Sequence, residues 1–502
     1  MKLSLKPSPA FVRDMTDGHS ILGLALSTLL YIVCVSGTLA VFYNEFERWE
    51  QADEREVLAV VEPSVYRSVT ENAMALAAER GEALKSVTFT IPNSAMPRLT
   101  VRAGGAEYYV GQDGTLQDEV AHDWTHFLTY LHFALNLPVV LGVPLVGLIG
   151  VLMTALILSG LLAHPNIIRD AFSLRMAGSR RLQQVDLHNR LGVWASPFHL
   201  AIAVTGAFIG LSQVVAFAVA GLFYGGNVEK VESMLYIEKA VIEEDARQVP
   251  LADFSRILAE MSRLAPEQEQ NRLRIFHPGR EGQAVEISTR VPGRLIWGER
   301  YRFDAEGRLL HQEGWSDGNA GKQVYASTFR LHFGHFSGFL VKIAYFLLGV
   351  GMCVLVVSGI NIWFLRKRQR GEAVPRLERV WVAQVWGIPF AIALSAVTYL
   401  AFAIAATPVF WIVVLVLSVV AAFVGTVAGW SMFLRGATIA ACLLAVVVHG
   451  VMFGTDSFVR GALVANGVWL LTAAGIGVSC LYTLSRQRSG SAAGVTVNPA
   501  IQ

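Results

Sequence analysis

The sequence predicts a mainly α-helical integral membrane protein with eight transmembrane helices and two small α+β inserts on one side of the membrane. Three observations carry that expectation. The 502-residue chain is 53% hydrophobic and only 16% charged, with a mean hydropathy of +0.46, too apolar for an ordinary soluble protein of this length. Eight runs are long enough to cross a hydrocarbon layer of roughly 30 Å, which takes about 20 apolar residues. The only long polar segments, 45–125 and 224–330, fall on the same side once the runs are counted.

The spans are expected near 20–43, 139–163, 192–223, 339–365, 381–405, 408–431, 434–454 and 461–484. The first is longer than a signal-peptide core, lacks a small-residue cleavage site and ends in Glu45, Glu47 and Arg48. It reads as an uncleaved helix. Lys2, Lys6 and Arg13, then Arg169, Arg175, Arg180, Arg181 and Arg190, share one side with Arg366, Lys367, Arg368, Arg370, Arg435, Arg486 and Arg488. The bias of Lys and Arg toward the cytoplasm places both termini there. The basic clusters border the membrane, so no nucleic-acid partner is implied; the lipid membrane is. Cys34, Cys353, Cys442 and Cys480 all lie in apolar runs without a Cys-x-x-Cys, which argues against disulfide scaffolding, thiolate-bound clusters and covalently attached haem.

Domain boundaries follow. Residues 1–44 hold the N-terminus and first span, 45–125 the first insert, 126–223 two spans with a basic loop, and 224–330 the second insert. Residues 331–370 form the fourth span and 371–502 a four-helix extension. Each insert repeats one order of elements. The first has a helix-like Val65–Glu79, then strand-like Ser86–Ile91, Leu99–Ala103 and Tyr108–Gly111 before the turn Asp113-Gly114. The second has Leu251–Leu264, then Arg272–Phe276, Ala284–Thr289 and Arg300–Phe303 before Glu306-Gly307. Alternating apolar residues between turn formers mark small sheets.

The membrane part is duplicated as well. Leu131-His132-Phe133 and Leu331-His332-Phe333 each precede an apolar run, and His19…Gly23 and His188…Gly192 open two others. His19 to Gly37 and His188 to Gly206 are both 18 residues; His132 to Gly160 is 28 and His332 to Gly359 is 27. A duplicated two-helix unit with one histidine near each face gives two histidine pairs, the pattern of electron carriers with bis-histidine haems. His19 and His188 share the cytoplasmic end, and His132 and His332 the outer end. They are the expected axial ligands of two b-type haems. A histidine near a helix end is more often a capping or interfacial residue, and the duplication is what favours ligation here.

His199, about 16 Å deeper than His188 along a helix, is an alternative ligand; the corresponding residue in the first copy is Leu30. His164 is a candidate second-layer donor or propionate partner. His335, three residues after His332, could ligate, accept a propionate or meet a substrate. His449 reads as a packed polar residue. Gly23, Gly37, Gly160, Gly192, Gly206 and Gly359 mark close approach of a flat macrocycle or a neighbouring helix. A docking surface near Trp124, Trp297, Tyr301, Trp315 and Tyr325, between the inserts, follows from aromatic and arginine content alone.

The chain also resembles the PepSY-associated transmembrane helix family, which includes iron-regulated inner-membrane proteins and ferric-siderophore reductases. The resemblance rests on Gly18-His19-Ser20-Ile21-Leu22-Gly23, Leu131-His132-Phe133, Ser159-Gly160-Leu161-Leu162-Ala163-His164 and Ile168-Arg169-Asp170-Ala171-Phe172-Ser173-Leu174-Arg175. It continues in Asp186-Leu187-His188-Asn189-Arg190-Leu191-Gly192, Pro197-Phe198-His199-Leu200, Leu331-His332-Phe333-Gly334 and Trp363, covering residues 10–370 in order. Residues 375–485 resemble the longer members only. The resemblance implies PepSY-like folds for both inserts and haem-linked reduction of an iron complex, such as a ferric siderophore, on the periplasmic side of the bacterial inner membrane.

No Gly-x-Gly-x-x-Gly opens a soluble βα unit, so electrons would come from a separate cytoplasmic donor or from quinol rather than from a nucleotide bound by this chain. The rival reading is a haem-free periplasmic binding, regulatory or transport-accessory protein. A metal permease fits poorly, because no Asp or Glu lies deep in the spans to line an ion path.

Overall fold

The structure, a computed structural model, describes residues 8–492 apart from 53–55, 57–59, 82–83, 165–179, 235–246, 292, 297, 315–317 and 319. Lys2, Lys6, Arg169, Arg175 and the stretch Ile168–Arg175 therefore lie outside the described residues, as do Trp297 and Trp315. The chain opens with α1 (Pro9–Ala40) and α2 (Tyr43–Glu50), then α3 (Pro63–Glu79), β1 (Ser86–Thr90), β2 (Thr100–Ala103), β3 (Ala106–Val110) and β4 (Leu116–Glu119). Next come α4 (Asp123–Ala134), α5 (Val139–Leu162), α6 (Arg180–Trp194), α7 (Ser196–Phe223), α8 (Val228–Ser233) and α9 (Phe254–Leu264). Strands β5 (Glu269–Phe276), β6 (Ala284–Arg290), β7 (Glu299–Phe303) and β8 (Leu309–Gly314) precede α10 (Ala320–Phe333) and α11 (Gly338–Gln369). Four helices close the chain: α12 (Pro375–Phe402), α13 (Ala406–Phe423), α14 (Val427–Phe453) and α15 (Arg460–Ala492).

Eight helices among the described residues are long and apolar enough to cross a membrane, one for each expected span. The first begins earlier than its apolar run because Ser8 caps it, its hydroxyl accepting from the Phe11 amide at 3.2 Å, with Pro9 in the first turn. The chain divides into two compact units: Met1–Ala52 with His122–Leu211 and Lys342–Gln502, and Asp53–Ala121 with Ser212–Val341.

In the first unit the four C-terminal helices pack against the motif-bearing ones. Thr28 donates to Gln384 Oε1 and the Tyr31 hydroxyl to the Val385 carbonyl, both at 2.8 Å. Trp124 Nε1 donates to Ser395 Oγ at 3.0 Å and Trp49 Nε1 to Asn466 Oδ1 at 2.9 Å. His449 is fully buried, stacked on Trp49 with ring centroids 4.9 Å apart, and hydrogen bonded to the Trp49 carbonyl. It is the packed polar residue the sequence suggested. Beside these, Lys342 and Glu45 form a buried ion pair at 2.7 Å, a contact whose breaking would strand a charge.

The repeated Leu-His-Phe strings occupy helices of their own. Helix α4 stops at Leu135 and Asn136, both with φ of 54°, and Pro138 starts the next helix; α10 stops at Gly334 with φ of 69°. Helix α4 begins under Glu50, whose carboxyl oxygens accept the amides of Trp124 at 2.8 Å and Thr125 at 2.7 Å. These are first-turn donors with no partner inside the helix. Burial outweighs those two bonds and pushes the Glu50 carboxyl up to about 8.

The second unit holds an antiparallel sheet of eight strands in the order β4-β3-β2-β1-β5-β6-β7-β8. The two separate small sheets expected from the sequence are thus one. Strand β1 of the first insert pairs with β5 of the second from Ser86↔Phe276 to Thr90↔Arg272. Each insert also contributes a fourth strand, β4 and β8, whose sequences Leu-Gln-Asp-Glu and Leu-Leu-His-Gln-Glu-Gly lack apolar alternation. As edge strands they need only one neighbour. Phe89, Leu273, Ile287 and Phe303 of one sheet face are fully buried with Val69 of α3 and Ile257 of α9. Of the residues expected to form an aromatic docking surface, the three that lie among the described residues, Trp124, Tyr301 and Tyr325, are all buried.

A carboxyl raised from 4.5 to about 8 binds its proton in the folded state while the unfolded chain has released it, so stability falls as pH rises between those values. Thermal unfolding of purified protein should show a lower midpoint at pH 8 than at pH 5.5, and Glu50→Gln should flatten that component. An unchanged slope in the variant would show that another group carries it.

Candidate functional site

His19 and His188, which are 169 residues apart in sequence, stand with ring centroids 6.1 Å apart and planes at 79°. They face a cavity of about 370 Å³ that is also lined by Gly23, Gly160, Gly192, Gly359, His164, His199, Trp363 and Arg366. Each ring is held in the same way. His19 Nδ1 lies 2.9 Å from the Leu156 carbonyl and 3.3 Å from Ser159 Oγ on α5. His188 Nδ1 lies 3.1 Å from the Leu355 carbonyl and 3.0 Å from Ser358 Oγ on α11. Both serine hydroxyls donate to those same carbonyls at 3.1 Å.

This triangle assigns the proton. A carbonyl oxygen only accepts, and the serine hydrogen already points at it, so each Nδ1 must be the donor. Nε2 is then left with its lone pair, the state in which imidazole ligates a metal. Burial, reinforced by the adjacent His19 ring, pushes the His188 imidazole down to about 4, so it is neutral near pH 7.

The repeated glycines explain the approach. A Cβ on Gly160 would sit 3.1 Å from His19 Cε1, and one on Gly359 would sit 3.2 Å from His188 Cε1. His132 on α4 follows the same rule. Its Nδ1 donates to the Val33 carbonyl at 3.0 Å, and a Cβ on Gly37 would lie 2.5 Å from its ring. In all three cases the glycine comes four residues after the accepting carbonyl. The side chain at that position overlies the carbonyl one turn earlier, so its absence opens a backbone oxygen to an imidazole from the next helix. The glycines thus receive histidines of other helices rather than those paired with them by spacing along the chain.

His199 is buried and lines the cavity, but its Nε2 bonds to the Leu348 carbonyl at 3.1 Å, so that nitrogen faces backbone rather than the open space. His164 lines the same cavity, and its buried Nδ1 has no partner among the described residues, a polar atom free to meet an acidic group. His132 belongs to the first unit and His332, on α10, to the second. His335 is fixed through its backbone, its carbonyl accepting from Arg330 at 2.8 Å and Arg290 at 3.1 Å. The serines and carbonyls were missed in the sequence, although the Ser159-Gly160 and Ser358-Gly359 pairs were the available signal.

The donor set fits a haem. His19 and His188 bring two imidazoles, with ring centroids 6.1 Å apart, to one cavity. The surrounding glycines and apolar residues admit a flat apolar macrocycle, and His164 and Arg366 supply polar ends.

Comparison with known proteins agrees with this architecture. The family model of the PepSY-associated TM region matches residues 16–366. The chain is also similar to the uncharacterized protein PA4219 of Pseudomonas aeruginosa, 28% identical over 246 residues, which is 47% of this chain. The match spans 62% of that relative's length, less than two thirds of it.

The glycine rule makes a direct prediction. Gly37→Ala should lower the thermal midpoint in detergent by several degrees, because its methyl meets the His132 ring. Gly18→Ala, with nothing within 4 Å, should leave it within a degree or raise it. Equal effects of the two substitutions would remove the steric argument.

Proposed function

The chain belongs to the PepSY-associated transmembrane family, and from that premise we propose that it is a di-haem b inner-membrane reductase. It would pass electrons from a cytoplasmic donor or quinol to a ferric chelate, such as a siderophore, on the periplasmic side. The His19–His188 pair carries this reading: two neutral imidazoles, pinned identically by duplicated elements, with both Nε2 lone pairs available and ring centroids 6.1 Å apart. Haem bound there would supply reversible one-electron carriage. The outer ligands, His132 and His332, are an expectation from the sequence duplication alone.

The residues of the chain have distinct roles in this scheme. His19 and His188 would hold a haem through their Nε2 lone pairs, and haem held by two imidazoles would supply electron transfer rather than direct oxygen chemistry. Ser159, Ser358 and the two carbonyls hold the ligand tautomer and orientation and increase imidazole basicity. The glycines admit the imidazole rings, and His164 and Arg366, which line the same cavity, would meet the acidic groups of a bound haem. One electron delivered outside converts Fe(III) to Fe(II), which hard anionic oxygen ligands hold less tightly, and the chelate releases its iron. Positive-inside bias puts both termini in the cytoplasm and the two inserts in the periplasm.

A dithionite-reduced minus air-oxidised spectrum with a pyridine haemochrome count should give two b haems per chain. His188→Ala and His132→Ala should each remove one. Two haems retained in either variant would refute that ligand assignment, and none in wild type grown with ample haem would favour the haem-free binding reading.

Ser358→Ala should raise one midpoint potential in a redox titration, because it removes the shorter of the two contacts to His188 Nδ1. Ser159→Ala, which removes the longer contact to His19, should raise it less. Potentials unmoved in both variants would leave the serines a packing role only.

A further inference from the structure

The fused sheet has two chemically opposite faces. One is apolar and buried against α3 and α9; the other carries guanidinium, hydroxyl and carboxylate groups. In register across the second face run Arg102 on β2, Thr88 on β1 and Arg274 on β5. One pleat along, Thr90 on β1 pairs with Arg272 on β5. The floor strand β1 comes from the first insert, and the arginines on its two sides come from one insert each. This cradle therefore exists only because the inserts pair.

The bland reading of such a surface is a solvated face of matched ion pairs, and the outer parts of this face fit it. Arg102 is held by Glu107, and Arg302 by Glu286 at 2.9 Å. The two β5 arginines do not form such pairs, although Glu286 stands opposite Arg274 on β6. Arg272 and Arg274 are exposed, and among the described residues neither makes a carboxylate ion pair. Arg274 reaches only the Ser86 hydroxyl, at 3.2 Å, and the Phe276 ring. Enclosure by neighbouring side chains, then the like charges of Arg300, Arg102 and Arg274, holds the Arg272 guanidinium below its ordinary range. Like charges crowded on one sheet face cost stability, a cost that a multivalent anion relieves.

We propose that this seam binds a metal chelate carrying several negative charges on oxygen donors, as tris-catecholates do, in preference to neutral hydroxamate chelates. The inference names the charge class of the substrate and rests on the reductase reading for the fate of the iron. Arg102 meets Glu107 through Nε and Nη2 only, which leaves Nη1; strands β2 and β5 stand two strand spacings apart, about 9.6 Å, so guanidinium groups from the two inserts can grip opposite sides of one globular chelate. Guanidinium forks match paired oxygens bidentately. Thr88 and Thr90 supply hydroxyl donors on the floor without adding charge.

The test is calorimetric titration of full-length protein in detergent with two redox-inert probes, the gallium(III) tris-catecholate trianion and neutral gallium(III) tris(acetohydroxamate). The trianion should bind at least ten-fold more tightly than the neutral complex and weaken as salt rises. The double variant Arg272→Ala/Arg274→Ala should lose at least ten-fold, while the corresponding double Lys variant keeps most of the affinity. Arg102→Ala, on the other insert, should also weaken it. Equal binding of the two probes, or a trianion affinity unmoved in the Ala variants, would overturn the proposal. Gallium is not reduced, so the outcome is independent of the haem count, which alone decides the reductase reading.

Discussion

The membrane unit is organised by one contact used repeatedly: an imidazole N–H donating to a helix carbonyl that already serves its own helix. A backbone carbonyl has two lone pairs, and the intrahelical bond uses one. The second is normally shielded by the side chain one turn later. Where that residue is glycine, the oxygen is open to a neighbouring helix, as at Leu156 before Gly160, Leu355 before Gly359 and Val33 before Gly37. Helix α1 is engaged at both ends, giving His19 to α5 and receiving His132 from α4. An ordinary hydrogen bond contributes only about 1 kcal/mol, so the main effect is on geometry: it fixes ring plane, tautomer and depth together.

Fixing the tautomer has a chemical consequence. A histidine bound through Nδ1 to an acceptor presents a basic Nε2, and one bound through Nε2 presents that atom to backbone instead. His19 and His188 are in the first state, and His199, in the same cavity, has its Nε2 on Leu348. Three histidines of one cavity are thereby sorted by backbone contacts alone. The depressed protonation of His188 acts in the same direction, since a protonated ring has no lone pair to offer.

The sequence made much of this legible, because duplication leaves equal spacings: the spans, the approach of His19 to His188 and the Ser-Gly marks were all visible in it. It could not show which glycine receives which histidine. That depends on how antiparallel helices lie side by side, and spacing along the chain pairs His19 with Gly37 whereas contact pairs it with Gly160. The burial of Trp124 was equally hidden, because the helix that covers it, α12, carries Ser395 some 270 residues later. The junction of β1 with β5 was hidden for a different reason. Each insert read alone satisfies its own alternation, and nothing local marks a strand as lacking its second neighbour.

That junction changes what the inserts can be. Two separate small sheets would each carry a thin core and two exposed edges. Joined, they share one core, on which α3 and α9 pack, and only β4 and β8 remain as edges. Both of those strands are short and polar, the features that discourage further pairing. Duplication thus works differently in the two units. In the membrane unit it brings equivalent histidines to opposite sides of a neutral cavity. In the sheet it brings non-equivalent residues, Arg102 of β2 and Arg274 of β5, to either side of Thr88, because the junction strand of the first insert is followed outward by β2 and that of the second begins the next half. One arrangement selects for a flat, mainly apolar body between matched ligands. The other sets a guanidinium from each half on either side of Thr88.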